Sequence, residues 1–427
     1  MESGIEVILA PGPVLGENNQ MSPRRGHSFT GQILLAILIG TGTGLLFGPK
    51  VAFLGNAASY LIQLIKILAT PLIFFAIVDA FCKTQIRGKS GLRLLLFSTL
   101  NATVAILIAL GMAQFIPDGG FFEREFIQAQ AEVQEPSVGA AAPSIAIAGA
   151  KTALIPKSVL EPFVNNEIIF IVIFAILVGI AIRSLEATKN FKNEIETLEH
   201  FFSGMFQIIA TCLSWFIRLL PIAIFGAIAK SVGSHGLGVF YSLFLFVGFI
   251  VLGFLLHAGV YYIFILKFIA RVSPRRFFAQ AAEPLLTAFG ASSSLATLPV
   301  TLHTLQKEMK VSVESSRLAA CVGTNLNHDG ILLYEALAAL IIAKIYGIHL
   351  TAGQTITVLG NSVIAAIGIA GVPEAGLITL PLVLGSVGLP TALIPVMLSV
   401  DWFLGRLRAT VNVTSDMVVA HLLDRYR

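Results

Sequence analysis

Long apolar runs joined by short polar stretches fill the chain from about residue 30 almost to its end. Six of them, near 30–48, 52–82, 91–115, 150–184, 198–231 and 236–269, reach or approach the ~20 residues a helix needs to cross a hydrocarbon core of ~30 Å. Pro71 falls inside the second and predicts a kink in a long tilted helix. Residues 116–150 turn acidic, then Ala-, Pro- and Gly-rich, and read as a loop. Four further segments, 275–306, 313–346, 352–385 and 386–424, are apolar but broken by Ser, Gly, Pro and charged residues. Residues 1–28 have neither the basic start nor the apolar core of a signal peptide and read as a polar tail.

Composition turns this pattern into a membrane assignment. Of 427 residues, 56% are hydrophobic and 12% charged, against about 25% charged in a soluble domain. A water-exposed globule could not hide that much apolar surface, whereas a lipid-facing bundle need not. Cys82, Cys212 and Cys321 are scattered, with neither metal-ligand spacing nor a disulfide framework. No basic stripe with interleaved aromatics suggests a nucleic-acid partner. Basic clusters at Arg24/Arg25, Lys83/Arg87/Lys89/Arg93 and Lys267/Arg271/Arg275/Arg276 alternate with the acidic Glu123–Glu135 stretch. By the positive-inside rule the tail and the basic loops are cytoplasmic and the 116–150 loop external.

The last third holds the candidate chemistry. Residues 291–299 (ASSSLATLP) and 366–376 (AIGIAGVPEAG) cannot continue as smooth helices, because Pro removes a backbone donor and small polar residues loosen the turn. Each reads as a hairpin that enters the membrane and turns back, or else as a loop between two short spans. Irregular backbone at membrane depth is tolerated where it lines a cavity, and paired hairpins of this kind point to a transporter binding site. Between them, Asn325–Gly330 (NLNHDG) reads as a helix break, leaving Asp329 as a carboxylate in low dielectric that suits a cation; the simpler reading is a structural turn. On the final segment Asp401, Gly405, Arg408, Asn412 and Asp416 share a stripe roughly 80° wide at 100° per residue. An internal salt-bridge ladder would account for Asp401 and Arg408 but not for Asp416. The stripe reads as a place where an anion meets the Arg408 fork and a cation meets Asp416.

At these residues the sequence resembles the dicarboxylate/amino acid:cation symporter family. The likeness runs in one consistent order through Ile65–Leu72, Leu154–Pro156, Phe174–Ile182, Leu220–Ile222, Ser292–Pro299, Asn327–Gly330, Ala370–Pro373 and Arg408–Asp416, about residues 30–425. The resemblance implies an all-α polytopic membrane protein of the glutamate-transporter fold, with eight transmembrane helices and two re-entrant hairpins. It further implies a homotrimer in the cell membrane, a bacterial inner membrane by expectation, with both termini cytoplasmic. Its partners would be the lipid bilayer and a small organic anion. Scaffold helices would occupy 30–82 and 150–231. A moving transport domain would comprise 91–115 and 236–425, with residues 1–28 outside it and 116–150 as the external loop. Ser293, Ser294, Gly371, Val372, Gly405, Arg408 and Asn412 would line the substrate. Gly323, Asn327, Asp329, Asn412, Asp416 and Asn101 would hold sodium.

Departures from the family pattern shape the substrate expectation. Gly405 stands where amino-acid carriers place an Asp for the substrate ammonium, and Ala409 and Ile331 replace threonines. A C4-dicarboxylate or similar organic acid is therefore the expected substrate, with glutamate or aspartate as the alternative should Glu374 or Asp401 supply the missing charge. His328 replaces a Met at the cation site, and Asn101–Ala102 stand where small hydroxyls are usual. Coupling to sodium, protons or both is compatible with these changes, and His328 either packs on the break or takes part in coupling. A channel would need open, multi-site binding rather than sealed tips. A hydrolase using Ser293 or Ser294 with His328 and Asp329 lacks the strand–turn–helix context of a nucleophile, so no enzyme activity is expected.

Overall fold

The computed structural model describes residues 29–83, 88–116, 156–165, 168–186, 192–368 and 375–427. The described residues are helical or in short turns, with no strand among them. The tail 1–28, all but the first residue of the 116–150 loop, and Gly371, Val372 and Glu374 lie outside them.

Helices α1 (Phe29–Phe47), α2 (Gly55–Lys83), α4 (Ile168–Glu186), α5 (Lys192–Ile217) and α6 (Leu220–His235) pack together, with α2 against α4, α5 and α6. Small residues make the α1–α6 contact possible. At Gly44 a Cβ would lie 2.7 Å from the Ala229 carbonyl oxygen, so the two backbones touch as in small-residue seams of membrane helices. Leu38 and Leu46, 71% and 81% exposed, point outward from the same helix, as a lipid-facing surface requires. Helix α2 runs on through Pro71.

The 198–231 segment, expected as one apolar span, departs from that expectation. It is two helices, α5 and α6, parted at Arg218–Leu219. Pro221 sits in the first turn of α6, where its missing N–H costs nothing and where it cannot extend α5. The predicted 150–184 segment contains a short helix, Glu161–Asn165, ahead of α4. The final segment is helical only from Ile394, because Gly388 adopts φ +72° and Pro390 follows it.

The second group begins with α3 (Gly88–Ala113) and α7 (Gly238–Phe254), the latter continuing through π-helical turns at Leu255–Tyr261 and Ile265–Ala270. Then come α8 (Pro274–Ala291) and α9 (Ser294–His303), whose last turn to Glu308 is π-helical. Ser292 turns the chain between them with φ +53°. The second arm, ten residues plus five, is about 22 Å long and shorter than a bilayer core. After α10 (Val313–Arg317) and single π and 3-10 turns, the chain leaves helical geometry at Leu326–His328 and restarts as α11 (Asp329–Ile345). The expected break is thus present. Arms α12 (Ala352–Gly368) and α13 (Ala375–Gly385) flank the second tip, and α14 (Ile394–Arg425) passes through the group, touching α7, α8, α9, α11 and α13. By length and composition, four stretches can cross a membrane among the described residues: Gly31–Leu54, Lys89–Ala113, Asn193–Ile217 and Gly238–Ala270.

Candidate functional site

The α14 stripe faces inward along its whole length, and Asp401, Gly405, Arg408, Asn412 and Asp416 are all buried. Arg408 is 3% exposed. Its Nη1 and Nη2 donate to Oδ1 and Oδ2 of Asp401 at 2.7 and 2.9 Å, a fork-to-fork pair two turns apart on one face. The ladder reading therefore holds for this pair. On its other side, Arg408 Cζ stands 4.3 Å from the ring centre of Tyr334 on α11, a cation–π contact. Gly376, at the start of α13, closes the enclosure; a Cβ there would fall 2.5 Å from Arg408 Nη1 and 2.9 Å from the Tyr334 ring. The guanidinium is thus held between a carboxylate, an aromatic face and the second hairpin.

One turn further along α14, Asn412 Oδ1 accepts the Gly330 N–H at 2.8 Å and caps an otherwise unpaired donor in the first turn of α11. The approach is close enough that a Cβ at Gly330 would meet the Arg408 carbonyl oxygen at 2.6 Å. A further turn on, Asp416 Oδ1 accepts from Asn327 Nδ2 at 3.3 Å and also bonds Thr324. Gly323 is buried and its carbonyl accepts the Leu326 N–H at 2.7 Å. The predicted anion and cation residues of α14 are accordingly brought against the α11 break.

Asn101 of α3 reaches the same place. Its Nδ2 donates to Asn327 Oδ1 at 3.2 Å and to Ser415 Oγ at 3.1 Å, and its Oδ1 accepts from Tyr261 at 2.8 Å. Asp329 is 1% exposed, and its Oδ2 accepts from the Tyr262 hydroxyl at 2.5 Å and the Ser415 hydroxyl at 2.6 Å. His257 Nε2 lies 3.3 Å from that oxygen and 3.1 Å from the Tyr262 hydroxyl; because that hydroxyl donates to Asp329, the hydrogen-bond network assigns the proton to Nε2. His328 is buried at the break, bonded to the Ala366 backbone of α12, with Nδ1 unpartnered.

At the first hairpin, Ser293 caps α9, its Oγ accepting the Ala296 N–H at 3.3 Å, and Ser294 begins that helix. The tip is tied to α14 by Arg406, which donates to the Phe289 and Gly290 carbonyls at 2.8 and 2.6 Å. Gly371 and Val372, expected at the second tip, lie outside the described residues.

Sequence reasoning missed several members of this cluster. Glu335 is completely buried on α11; its Oε1 accepts from Thr379 of α13 and its Oε2 has no partner. An acid inside an apolar span is a functional signal by itself, and it was legible. His257, an imidazole inside the 236–269 apolar span, was legible in the same way, whereas Tyr262, Tyr334 and Ser415 carried no comparable signal, since each is unremarkable until the helices are placed.

Residues 29–426 match the sodium:dicarboxylate symporter family. The chain belongs to that family. Its members are transporters rather than enzymes. Human excitatory amino acid transporter 1 is 36% identical over 256 residues, 60% of this chain and 46% of that protein. Mouse excitatory amino acid transporter 4 is 34% identical over the same share of this chain and 45% of its own length. The aligned part thus spans about half the length of these relatives. The Caenorhabditis elegans protein glt-4, whose name places it among sodium-dependent excitatory amino acid transporters, is 28% identical over 92% of this chain and 88% of its own length. The symporter family and its multi-pass membrane setting agree with the sequence expectation; the names of these relatives favour the amino-acid alternative over the expected C4-dicarboxylate.

Proposed function

We propose that this protein is a secondary symporter that couples sodium entry to uptake of an acidic amino acid, glutamate or aspartate. The observation that carries the reading is Arg408, a buried guanidinium already matched to a carboxylate by Asp401 and stacked on Tyr334. A buried charge must be paired, so Asp401 serves as the counter-ion that a substrate carboxylate replaces. Once the substrate takes the fork, Asp401 is freed next to it. Asp401 lies one turn from Gly405 on the same face, so its carboxylate can meet an α-ammonium that Gly405 cannot. The missing acid at 405 then no longer argues against an amino acid.

Asn327, Asn412, Asp416 and the Gly323 carbonyl are the proposed sodium ligands, all oxygen donors of the hard type alkali ions prefer. Ser293, Ser294, Gly371 and Val372 would cover the substrate as the hairpins close. The α1–α2–α4–α5–α6 group would be the scaffold of a homotrimer, and the group around α14 the part that moves across a cell membrane, a bacterial inner membrane in the reading adopted here.

A second reading, a C4-dicarboxylate without an amino group, is favoured by one observation, the glycine at 405. Both are tested by uptake of labelled glutamate, aspartate, succinate and malate into proteoliposomes under an inward sodium gradient at fixed pH. Concentrative, sodium-dependent uptake of an acidic amino acid, lost in Arg408→Ala, is the expected result. Full uptake without sodium would refute sodium coupling, and uptake retained by Arg408→Ala would refute the anion site. Preference for succinate or malate would select the second reading.

A further inference from the structure

We propose that the end of the α7 extension and the start of α8 form a docking surface for an anionic phospholipid. Lys267, Arg271, Arg275 and Arg276 would meet its headgroup, beside Phe264 and Phe268.

The surface begins as an apolar stripe. Gly238–Ala270 runs for 33 residues, about 50 Å of helix against a hydrocarbon core of ~30 Å. With its middle in that core, its last turns stand at headgroup depth. Along it Leu252, Leu255, Val260, Ile263, Phe264 and Phe268 are all exposed. The step from Leu255 to Val260 is five residues, and it crosses the π-helical turn Leu255–Tyr261. That wider turn keeps one outward stripe where an α-helix would rotate the fifth residue away. Lys267 is exposed beside the stripe, its Nζ 5.3 Å from the Phe268 ring centre.

Beyond the stripe the charge has one sign. Arg271 adopts φ +55° and ends the helix, and the Val272 N–H returns to the Leu266 carbonyl at 2.8 Å. This tight turn brings in α8, where Arg275 and Arg276 are exposed, as Arg271 is. The stretch 238–270 contains no acid, and the first on α8 is Glu283, seven residues past Arg276. Among the described residues, none of the four cations has a carboxylate within ion-pair distance. Arg275 and Arg276 do not serve their own helix either, since its first turn favours acids over cations. Four unpaired cations beside an apolar stripe call for a partner that carries both an anion and hydrocarbon.

An anionic phospholipid fits both halves. Its phosphate oxygens suit the guanidinium forks, and its acyl chains can lie along the stripe. A soluble anion would meet the cations and leave the stripe uncovered. Basic clusters just beyond a membrane span collect anionic lipids, each cation contributing about fivefold in binding. Because α8 packs on α14, the lipid would act on the group of helices that holds Arg408.

The test uses the purified full-length protein carrying Phe268→Trp, in mixed micelles with brominated phosphatidylglycerol or brominated phosphatidylcholine. Quenching of the added tryptophan is read after subtracting the protein without that substitution, which accounts for Trp215 and Trp402. Half-quenching is expected at a phosphatidylglycerol fraction at least about fivefold below that for phosphatidylcholine, the gap narrowing at high salt. Neutralising all four cations to Gln should close the gap, whereas Arg271→Lys, Arg275→Lys and Arg276→Lys together should keep it. Equal quenching by the two lipids, or a preference undiminished by the four Gln substitutions, would overturn the proposal. So would loss of the preference on adding inorganic phosphate at constant ionic strength, which would assign the cluster to a free anion.

Discussion

Two glycines set how closely the site can assemble. Gly330 has no room for a methyl group, since a Cβ would press on the Arg408 carbonyl oxygen at 2.6 Å and on Asn412 Oδ1 at 2.9 Å. Neither neighbour can yield freely, one being backbone and the other holding the Gly330 N–H. Gly330→Ala should therefore separate α11 from α14 at a cost of about 1–3 kcal/mol, the usual range for overpacking. A lowered thermal midpoint together with weakened substrate binding would show it; a neutral result would mean that the helices are not this close. The same scale governs substrate choice. Asp401→Asn leaves Arg408 without its buried counter-ion, and breaking such a pair costs about 3–5 kcal/mol. Amino-acid uptake should fall further than succinate uptake, because the ammonium loses its acid as well. Gly405→Asp added to Asp401→Asn restores a carboxylate one turn along the same face and should recover amino-acid uptake. Failure of that rescue, measured as competition between glutamate and succinate, would show that Asp401 does not take the ammonium.

At the scale of elements, the hairpins and the break explain both what the sequence disclosed and what it concealed. Serine runs, Pro299 and the Asn-Leu-Asn-His-Asp-Gly stretch are local signals, and the turn at Ser292 and the restart at Asp329 appear where they pointed. The stripe on α14 was legible because one helix carries it whole. The division of 198–231 into α5 and α6 was less visible, since the flanking residues are apolar on both sides of Pro221. Least legible was the donor cluster on Asp329, which depends on a π-helical turn that no residue pattern announces and on contacts between helices distant in sequence. Arg406 is an example of the same kind: on sequence it lies off the stripe, yet it holds the Phe289 and Gly290 carbonyls and stacks over the Phe289 ring at 5.9 Å. Those carbonyls close the C-terminal end of α8, where helix groups lack internal partners and a cation is favoured. Arg406→Gln should loosen the first tip against α14. Labelling of a cysteine placed at Ser294 by a polar maleimide should quicken about tenfold, corresponding to about 1.4 kcal/mol, in a background without Cys82, Cys212 and Cys321. An unchanged labelling rate would mean that other contacts hold the tip.

Across the whole molecule, one end gathers chain positions that the charge pattern assigns to the cytoplasm. Arg93 of α3 donates to the Arg427 carbonyl at 3.4 Å, and Arg425 donates to the Ala270 carbonyl at 3.3 Å. Asp424 accepts the Ser312 N–H at 3.0 Å, and Arg427 pairs with Glu314 at 2.7 Å. The start of α3, the end of the α7 extension, the start of α10 and the end of α14 therefore meet at one pole. Arg93 and Arg271, each a member of one of the basic clusters, lie there with them. Exposed ion pairs of this sort contribute little to stability, so their value here is positional. If the positive-inside rule governs insertion, this pole faces the cytoplasm and α14 ends there. A fluorescent protein that matures only in the cytoplasm, fused after Arg427, should glow, and a phosphatase that works only outside should be inactive at that point. The opposite pattern should hold for both reporters inserted within the 116–150 loop. An active phosphatase after Arg427 would invert the orientation. The sodium gradient would then have to drive substrate from the face that carries this basic pole, which would reverse the order in which the hairpins open but leave the Arg408 enclosure as it is.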